Sequence, residues 1–259
     1  MAPTDRRFDQ LDGVPLHYWR WTDGTAGQRT ARRTFQSSAA FHDHLVRWVR
    51  DLRTIAQQHG GLTGMDRIIS AGAYVNKPGQ PGRGPAFDLD QVRWSNGTIT
   101  PYHREHAARD LRVRRRYLAL DAVCRRHFRF VLDGGFNAAH ADHLHLDVGG
   151  GQIRCDKASR SDTAFVQMCC NAFLGSGLAV DGAWGARTQS AFVEASRRLG
   201  TGGDPHRVAV DWQRWLGRAA ACGFANRPFQ APPTSGPPSD PVGDLLDDLL
   251  GPTLRGLGG

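Results

Sequence analysis

Lysine is nearly absent from this sequence, and long hydrophobic runs and a conventional signal peptide are missing. Only Lys77 and Lys157 are lysines, so arginine carries almost all of the positive charge. No apolar run approaches the ~20 residues that a bilayer-spanning helix requires, which excludes a transmembrane protein. Residues 1–21 place charges where a Sec signal would have its apolar segment. We therefore expect synthesis in the cytoplasm, and action outside the cell would need another release route.

Cysteine is also sparse. The chain has five cysteines, an odd number, with no Cys-x-x-Cys spacing. This pattern argues against a full disulfide framework and against a zinc finger. We therefore predict that the thiols are small, buried apolar side chains. They belong to Cys124, Cys155, Cys169, Cys170 and Cys222.

The charge balance favours anionic partners. A formal net charge of +8 suits nucleic acid, a membrane surface or acidic cell-wall polymers. The preference for arginine over lysine is also what a GC-rich coding sequence produces, so charge alone does not select a partner. No arginine cluster accompanies a helix-turn-helix or zinc-finger pattern. The arginine run between Arg112 and Arg116 fits the solvated face of a helix, and a nucleic-acid partner is therefore not expected.

The composition describes a soluble globular protein. Its 259 residues allow one large or two small domains, and 40% of them are hydrophobic. We predict a polar arm over residues 1–33 with one short ordered piece near residues 14–21. An α+β domain follows over residues 34–152 and a small helical domain over residues 161–225. Residues 226–259 are predicted to be a Pro/Gly-rich linker and tail.

Hydrophobic periodicity assigns elements to the first domain. Apolar residues at three- and four-residue spacing predict an amphipathic helix, and short β-branched or alternating stretches predict strands. Together they favour a small sheet with two packed helices. The predicted helices cover residues 41–55 and 104–127, and the predicted strands cover residues 67–74, 86–94, 128–132 and 143–148.

The second domain shows only helical periodicity, which predicts a small all-α bundle of three helices. These helices are expected at residues 162–173, 184–199 and 205–222. Beyond residue 240 the tail places leucine pairs between aspartate pairs. That pattern suits either a short amphipathic turn that docks on a particle or secretion apparatus, or a frayed terminus.

The densest group of chemically active side chains lies between Asn137 and Asp147. Three histidines and two aspartates within eleven residues are costly to bury without hydrogen-bond partners or a metal. His143 and His145 share one face of a strand, and upstream Asp88 and Asp90 do the same. The residues are Asn137, His140, Asp142, His143, His145 and Asp147.

Two interpretations of this group remain open. Carboxylate and imidazole ligands suit zinc, which in catalytic sites takes three protein ligands and one water. The alternative is a hydrogen-bonded edge strand with exposed histidines. Spacing alone does not decide between them.

Three segments resemble the extensin-like C-terminal domain family. They are residues 84–88 (GPAFD), residues 117–124 in the second predicted helix, and residues 128–149. That bacterial family is related to zinc D-alanyl-D-alanine carboxypeptidases and to phage endolysins that cut peptidoglycan stem peptides. The resemblance covers residues 67–150. It implies a carboxypeptidase-like α+β fold.

The resemblance also implies roles for individual residues. Asp88 and His145 would be zinc ligands, and Asp142 would be the general base that takes a proton from the zinc-bound water. His143 would orient the substrate or stabilise the oxyanion. His140 and Asn137 lie beside these residues in the sequence and are candidate substrate-binding groups.

One position departs from the family pattern. The family's first zinc ligand is a histidine seven residues before the aspartate, and Pro81 stands there. Because proline does not bind zinc, another side chain must complete the site or the metal is lost. His140, His143, His103 and His106 are the candidates.

A second resemblance lies in the helical domain. The turn that contains Asp181, Gly182, Trp184, Gly185 and Thr188 is similar to the hallmark of the small three-helix peptidoglycan-binding domain. The resemblance makes Asp181, Trp184 and Thr188 candidate ligand-binding residues. The alternative is that they only hold the bundle together.

Both resemblances imply a bacterial or phage cell-wall protein that binds peptidoglycan and hydrolyses its stem peptides if the zinc site is retained. The alternative is a non-catalytic docking or structural component of a phage tail or injection apparatus. Either function would be exercised at the cell wall.

Overall fold

The structure is a computed structural model that describes residues 6–19, 31–74, 85–201 and 205–230. Pro81 and most of the C-terminal tail, including residues 240–259, lie outside this part of the chain. Within it the chain alternates short strands and helices before ending in three consecutive helices. The elements are β1 (Arg6–Phe8), β2 (Gln10–Leu11), β3 (Val14–Tyr18), β4 (Ala31–Arg32), β5 (Phe35–Ser37), α1 (Ala39–Gly60), β6 (Met65–Tyr74), β7 (Ala86–Trp94), β8 (Gly97–Ile99), α2 (Leu111–His127), β9 (Phe130–Leu132), β10 (Leu144–Asp147), α3 (Arg160–Leu174), α4 (Ala186–Leu199) and α5 (Ala209–Phe224).

A mixed sheet organises the first half of the molecule. In the described residues it has eight strands in the order β2-β3-β6-β7-β10-β9, with β4 added to β3 and β8 added to β7. The β3–β6 pair is parallel and the other pairs are antiparallel. Strands β1 and β5 form a separate antiparallel pair. The α+β class predicted from the sequence is therefore confirmed.

The N-terminal segment is more ordered than the predicted arm with one short ordered piece near residues 14–21, and β3 (Val14–Tyr18) lies within that piece. Leu11, Val14 and Leu16 are buried, and Leu16 on β3 pairs with Ile68 on β6. The described part of this segment therefore contributes strands to the sheet. A five-residue strand has too few apolar positions to produce a strong periodic signal, and only its long-range partner β6 makes it recognisable.

Helix α1 confirms the first predicted helix. Ser38 caps its N-terminus by accepting the backbone N–H of Phe41, and Gly61 ends it in the left-handed conformation at φ 61°. The predicted apolar stripe is buried. Trp48 on this stripe packs against Phe87 of β7 at a ring distance of 6.1 Å, which fixes the helix on the sheet.

Helix α2 begins later than predicted. Asp110 caps it by accepting the backbone N–H of Arg112, so the helix starts at Leu111 rather than near residue 104. Two short 3-10 turns, Pro101–His103 and Glu105–Ala107, occupy the intervening segment. Residues 117–127 are all buried, which is typical of a helix that is covered on every side.

Helices α3, α4 and α5 follow the three predicted helices, and no end is shifted by more than four residues. Their contact is aromatic: Phe192 of α4 lies 5.7 Å from Trp215 of α5, and Phe165 of α3 lies 6.1 Å from the same indole. Burial of such rings supplies much of the packing free energy.

The three helices pack directly on the first half of the molecule. Gly223 of α5 lies so close to α2 that a Cβ there would be 2.5 Å from the Arg115 carbonyl oxygen. Gln213 of α5 donates to the carbonyl of Arg126 at 3.1 Å. The buried apolar residues of both halves form one continuous cluster. The predicted domain boundary near residues 152–161 stays a prediction, and the packing runs across it.

All five cysteines are buried and free, as predicted. Burial raises the pKa of the Cys155 thiol well above its ordinary value, which makes it a poor nucleophile. In the described ranges, no helix has the length and hydrophobicity needed to span a membrane.

Candidate functional site

The antiparallel pairing of β7 and β10 brings the two principal candidates together. His145 lies directly opposite Asp88 in the register. Their side chains project from the same face, and Asp88 Oδ1 accepts a hydrogen bond from His145 Nδ1 at 2.6 Å. Two residues that are 57 positions apart in the chain thus form one carboxylate–imidazole pair.

A second such pair lies beside the first. Asp142 Oδ1 and His143 Nδ1 are 2.8 Å apart, in the segment that enters β10. His143 Nε2 lies 4.0 Å from Asp88 Oδ1. The structure therefore brings together all four residues to which the resemblance assigned zinc or catalytic roles.

His140 and Asn137 complete the cluster. The Asn137 side-chain oxygen lies 2.7 Å from His140 Nδ1 and also accepts the His140 backbone N–H. The His140 ring centre is 5.2 Å from that of His143 and 5.9 Å from that of His145. Burial and these two neighbouring imidazoles lower the pKa of His140 to about 4, so its ring is neutral at physiological pH.

A buried ionic network holds the loop that carries the cluster. Asp133 Oδ1 accepts the backbone N–H groups of Gly135 and Phe136 at 2.8 and 2.9 Å. Its other oxygen accepts from Arg125 at 2.8 Å. Arg125 also reaches Asp162 at the start of α3, so the helical half of the molecule supports this loop.

Tyr102 is a neighbour that the sequence did not single out. Burial, together with the nearby carboxylates of Asp142 and Asp90, raises the pKa of its phenol to about 12. Tyr102 lies on the 3-10 turn Pro101–His103. A single aromatic residue outside any periodic segment gives no recognisable signal, so only the tertiary structure reveals its proximity.

Glu105, on the turn after Tyr102, provides a pH-dependent prediction. Burial raises the pKa of its carboxyl to about 7. Between pH 4.5 and 7 the folded protein keeps a proton that the unfolded chain releases, so wild-type stability falls as pH rises through this window. The glutamine introduced by Glu105→Gln does not titrate. The Tm of this variant minus the Tm of wild type should therefore be larger at pH 8 than at pH 5.

The control for this prediction is Glu194→Gln. Hydrogen bonds from Arg197 and Arg198 lower the pKa of Glu194 to about 2, so this residue stays ionised from pH 5 to 8. Its Tm difference from wild type should not change over that range. An equal Tm difference for Glu105→Gln at both pH values would contradict the prediction.

The donor atoms in the described residues do not fit a zinc site as they are arranged. Zinc bonds of about 2.0–2.1 Å in tetrahedral geometry place two donors about 3.3 Å apart. The 2.6 Å separation of Asp88 Oδ1 and His145 Nδ1 is instead a hydrogen-bond distance. Within the described ranges, no three His, Cys, Asp or Glu residues are arranged to hold a metal ion.

The other proposed replacement ligands have the following neighbours. His106 packs against Gly134 and lies 5.9 Å from the Tyr117 ring. The His103 ring lies 5.3 Å from that of Tyr102. His140 and His143 are nearest to Asp88 and His145, and each has its Nδ1 hydrogen-bonded to a side-chain oxygen.

The second candidate site is a turn between α3 and α4. Gln167 of α3 lies at its centre and accepts the backbone N–H groups of Asp181 and Gly182 at 3.1 and 3.0 Å. Its amide donates to the Asp181 carboxylate at 2.8 Å and to the Thr188 hydroxyl at 3.2 Å. Thr188 is buried, so of the three predicted ligand contacts Asp181 and Trp184 are the accessible ones.

Trp184 lies on the outer side of this turn. Its indole N–H donates to Gln189 at 2.9 Å, and the Lys157 ammonium lies 5.2 Å from the ring centre. An indole beside a cation offers a flat apolar face and a positive charge to a ligand.

Gln167→Ala should destabilise the protein by about 1–3 kcal/mol, because two backbone N–H groups of the turn lose their acceptor, the buried Gln167 side chain. Chemical denaturation followed by circular dichroism measures this loss. Gln57→Ala removes an exposed glutamine from α1 and serves as the control. Equal midpoints for the two variants would rule out a structural role for Gln167.

Comparison with known protein families identifies the first half of the chain. The family model described as Extensin-like protein C-terminus matches residues 28–156. The chain therefore contains an extensin-like domain, as the residues around Asp88 and His145 indicated. No curated protein and no solved structure matches the chain significantly. The relation to zinc carboxypeptidases and the peptidoglycan-binding nature of α3–α5 stay predictions.

Proposed function

From the extensin-like domain at residues 28–156, we propose that the protein binds peptidoglycan at the cell wall and that the cluster around His145 contacts stem peptides. The observation that carries this proposal is the convergence of Asp88, Asp142, His143 and His145 on one side of the sheet. Peptides present amide and carboxylate groups, and paired carboxylates and imidazoles are suitable hydrogen-bond partners for both.

The helical half supports the same proposal. Asp181 is exposed, and Trp184 with Lys157 offers an aromatic and cationic surface for the polymer. The net charge of +8 favours association with anionic wall polymers. In this proposal α3–α5 contact the polymer while the histidine cluster contacts its peptides.

Sedimentation with purified, insoluble peptidoglycan tests the proposal. Wild type should pellet with the polymer, and His145→Gln should bind about tenfold more weakly through loss of an ionic hydrogen bond. His42→Gln is the control, because His42 lies on α1 beside Phe8. Failure of wild type to sediment, or equal binding by His145→Gln, would overturn the proposal.

Binding without hydrolysis is the activity that we propose, because it needs no ligand in place of Pro81. Such a protein suits a docking role in a phage tail or injection apparatus, with a particle contact through residues 240–259. Co-purification of the full chain with a particle, and its loss on deletion of residues 240–259, would support that role. A monodisperse monomer that lyses peptidoglycan would oppose it.

Hydrolysis through zinc is the competing outcome, and metal analysis separates the two. Stoichiometric zinc in the purified protein, with turbidity loss of peptidoglycan that disappears in Asp142→Asn, would establish a hydrolase. Substoichiometric zinc without lysis would overturn the hydrolase. Pro81→His restores the family residue and should raise zinc affinity if the remaining ligands are competent.

A further inference from the structure

A groove of about 340 Å³ lies between α4 and the loop that follows α3. We call it the α4 groove. Most of its lining side chains are small, and Leu178 supplies an apolar wall. The Asn171 amide accepts the backbone N–H of Leu178 at 2.7 Å and donates to its carbonyl at 2.9 Å, which fixes this wall. The lining residues are Ser176, Leu178, Ala186, Arg187, Ser190 and Ala191.

The exposed surface of α4 extends the groove. Val193 is 56% exposed and lies three residues after Ser190 on the same helix. Because residues three apart share a helix face, Val193 continues the apolar lining along α4. An apolar groove with an exposed apolar extension is typical of a surface that another segment covers.

The groove also carries positive charge. Arg187 donates to the Gly177 carbonyl at 3.2 Å, a neutral partner, so its charge can still attract a carboxylate. Helix α4 contains three arginines and one glutamate, which gives it a net charge of +2. That glutamate, Glu194, is already paired with Arg197 and Arg198 at 2.8 and 2.6 Å. The surface therefore suits an occupant that combines apolar and acidic side chains.

Residues 244–250 (DLLDDLL) of this chain have that chemistry, and we call them the leucine segment. They contain four leucines and three aspartates, with no lysine or arginine. The leucine segment lies outside the described part of the chain. The described residues before it end beside α3, where Phe229 stacks on Phe173 at a ring distance of 4.4 Å and donates its backbone N–H to the Phe173 carbonyl.

The connection is short enough to favour contact within one chain. Phe173 lies only three residues before Ser176 of the groove, so the chain leaves the described region close to it. Fourteen residue steps separate Gln230 from Asp244. They span up to about 46 Å, whereas α4 is only about 21 Å long. A tether of this kind gives an effective concentration of about 1 mM, so even a weak contact is largely occupied.

We propose that the leucine segment binds in the α4 groove of its own chain, with leucines against Leu178 and Val193 and aspartates beside Arg187. This inference goes beyond the proposed function and does not rest on peptidoglycan binding. A particle that contacts residues 240–259 would have to displace the leucine segment from the groove. The α4 groove would thus hold the tail until such a partner is present.

Paramagnetic broadening in NMR spectra of the full chain tests the proposal. A nitroxide is attached to Gly251→Cys, directly after the leucine segment, and it broadens the amide signals of nearby residues. The five native cysteines are buried and therefore react poorly with the label. The amides of Ser176, Leu178 and Ser190 should lose their signals, whereas that of Ala40, at the exposed start of α1, should keep its signal.

Variants on both sides of the contact sharpen the test. Leu245→Asp/Leu249→Asp removes the apolar groups of the segment, and Ser190→Glu places a larger anionic side chain at an exposed position of the groove. Both should restore the groove signals. Ala40→Glu adds the same charge to α1 and should leave the broadening unchanged. A synthetic peptide of residues 240–252 should bind Leu245→Asp/Leu249→Asp at least about tenfold more tightly than wild type, whose groove is occupied.

The other occupants give different results. The proposal is wrong if the groove amides keep their signals in the labelled chain, or if their broadening survives in both variants. Mixing isotope-labelled chains without nitroxide and unlabelled chains with it detects contacts between copies. Broadening in this mixture would assign the groove to the segment of a second copy. Shifts of the groove amides on addition of peptidoglycan fragments, without broadening by the nitroxide, would assign it to the polymer. Either result would overturn binding within one chain.

Discussion

Arg125→Met is expected to destabilise the protein by about 3–5 kcal/mol, a large share of the ~5–15 kcal/mol that stabilises a typical domain. The Arg125 side chain is 3% exposed and donates to three carboxylates at 2.8–2.9 Å. They belong to Asp121 on α2, Asp133 directly after β9, and Asp162 on α3. Removal of the guanidinium leaves these buried acids without their principal cation.

The pH dependence of this loss distinguishes it from simple cavity formation. Burial already raises the pKa of the Asp121 and Asp162 carboxyls in the wild type, against the attraction of Arg125. Without the cation these acids would hold protons to still higher pH. The variant should therefore lose stability as pH rises above about 4, and its deficit relative to wild type should be smaller at pH 5 than at pH 8.

Urea denaturation at the two pH values measures both effects. Arg197→Met is the control, because Arg197 is exposed and pairs with Glu194 on the surface of α4. Its midpoint should stay near that of wild type. Two outcomes would contradict the assignment of a buried ionic network. One is a stability loss for Arg125→Met no larger than that of the control, and the other is a stability loss that does not change with pH.

Gly223→Val is expected to cost about 1–3 kcal/mol or more, and to weaken both halves of the molecule together. A Cβ at this position would lie 2.5 Å from the Arg115 carbonyl oxygen and 2.8 Å from Ala119 Cβ. Because the first of these atoms is backbone, α2 and α5 must move apart. In an exposed helix, replacing a glycine usually stabilises the helix. Destabilisation by Gly223→Val would therefore indicate the close packing of α2 against α5.

Unfolding followed by tryptophan fluorescence and by circular dichroism tests this expectation. One coincident transition at a lower midpoint is expected, because the two halves share a core. Gly150→Ala is the control, since a Cβ there meets no atom within 4 Å. Two separate transitions, with the sheet unaffected by Gly223→Val, would show that the halves fold independently.

Local patterns in the sequence were sufficient for most of the secondary structure. The predicted strand over residues 86–94 is β7, and the apolar stripe of α1 is buried as its spacing requires. The start of α2 was misplaced because Asp110, its cap, is one of several polar residues that suit that role. Before residue 20 the sequence predicted only one ordered piece near residues 14–21, where β3 lies, because the apolar positions of these strands are few and the partner of β3, β6, is distant.

The candidate site shows the same division. The histidines and aspartates between Asn137 and Asp147 stand out in the sequence, since such residues are costly to bury without partners. That the Asp88 carboxylate pairs directly with His145 follows only from the register between β7 and β10. Tyr102 carries no sequence signal, and the central position of Gln167 in the turn between α3 and α4 became visible only in the tertiary structure.

The composition, the periodicities and the two motifs were enough to establish an α+β first half with an extensin-like domain and a helical second half. Those features depend on residues that are neighbours along the chain, within one strand or a few helical turns. The joining of the two halves was decided only by tertiary structure. Arg125 meets Asp133 and Asp162, and Gly223 meets Arg115 from the other half of the chain. Packing and charge neutralisation between distant segments leave no periodic trace in the sequence.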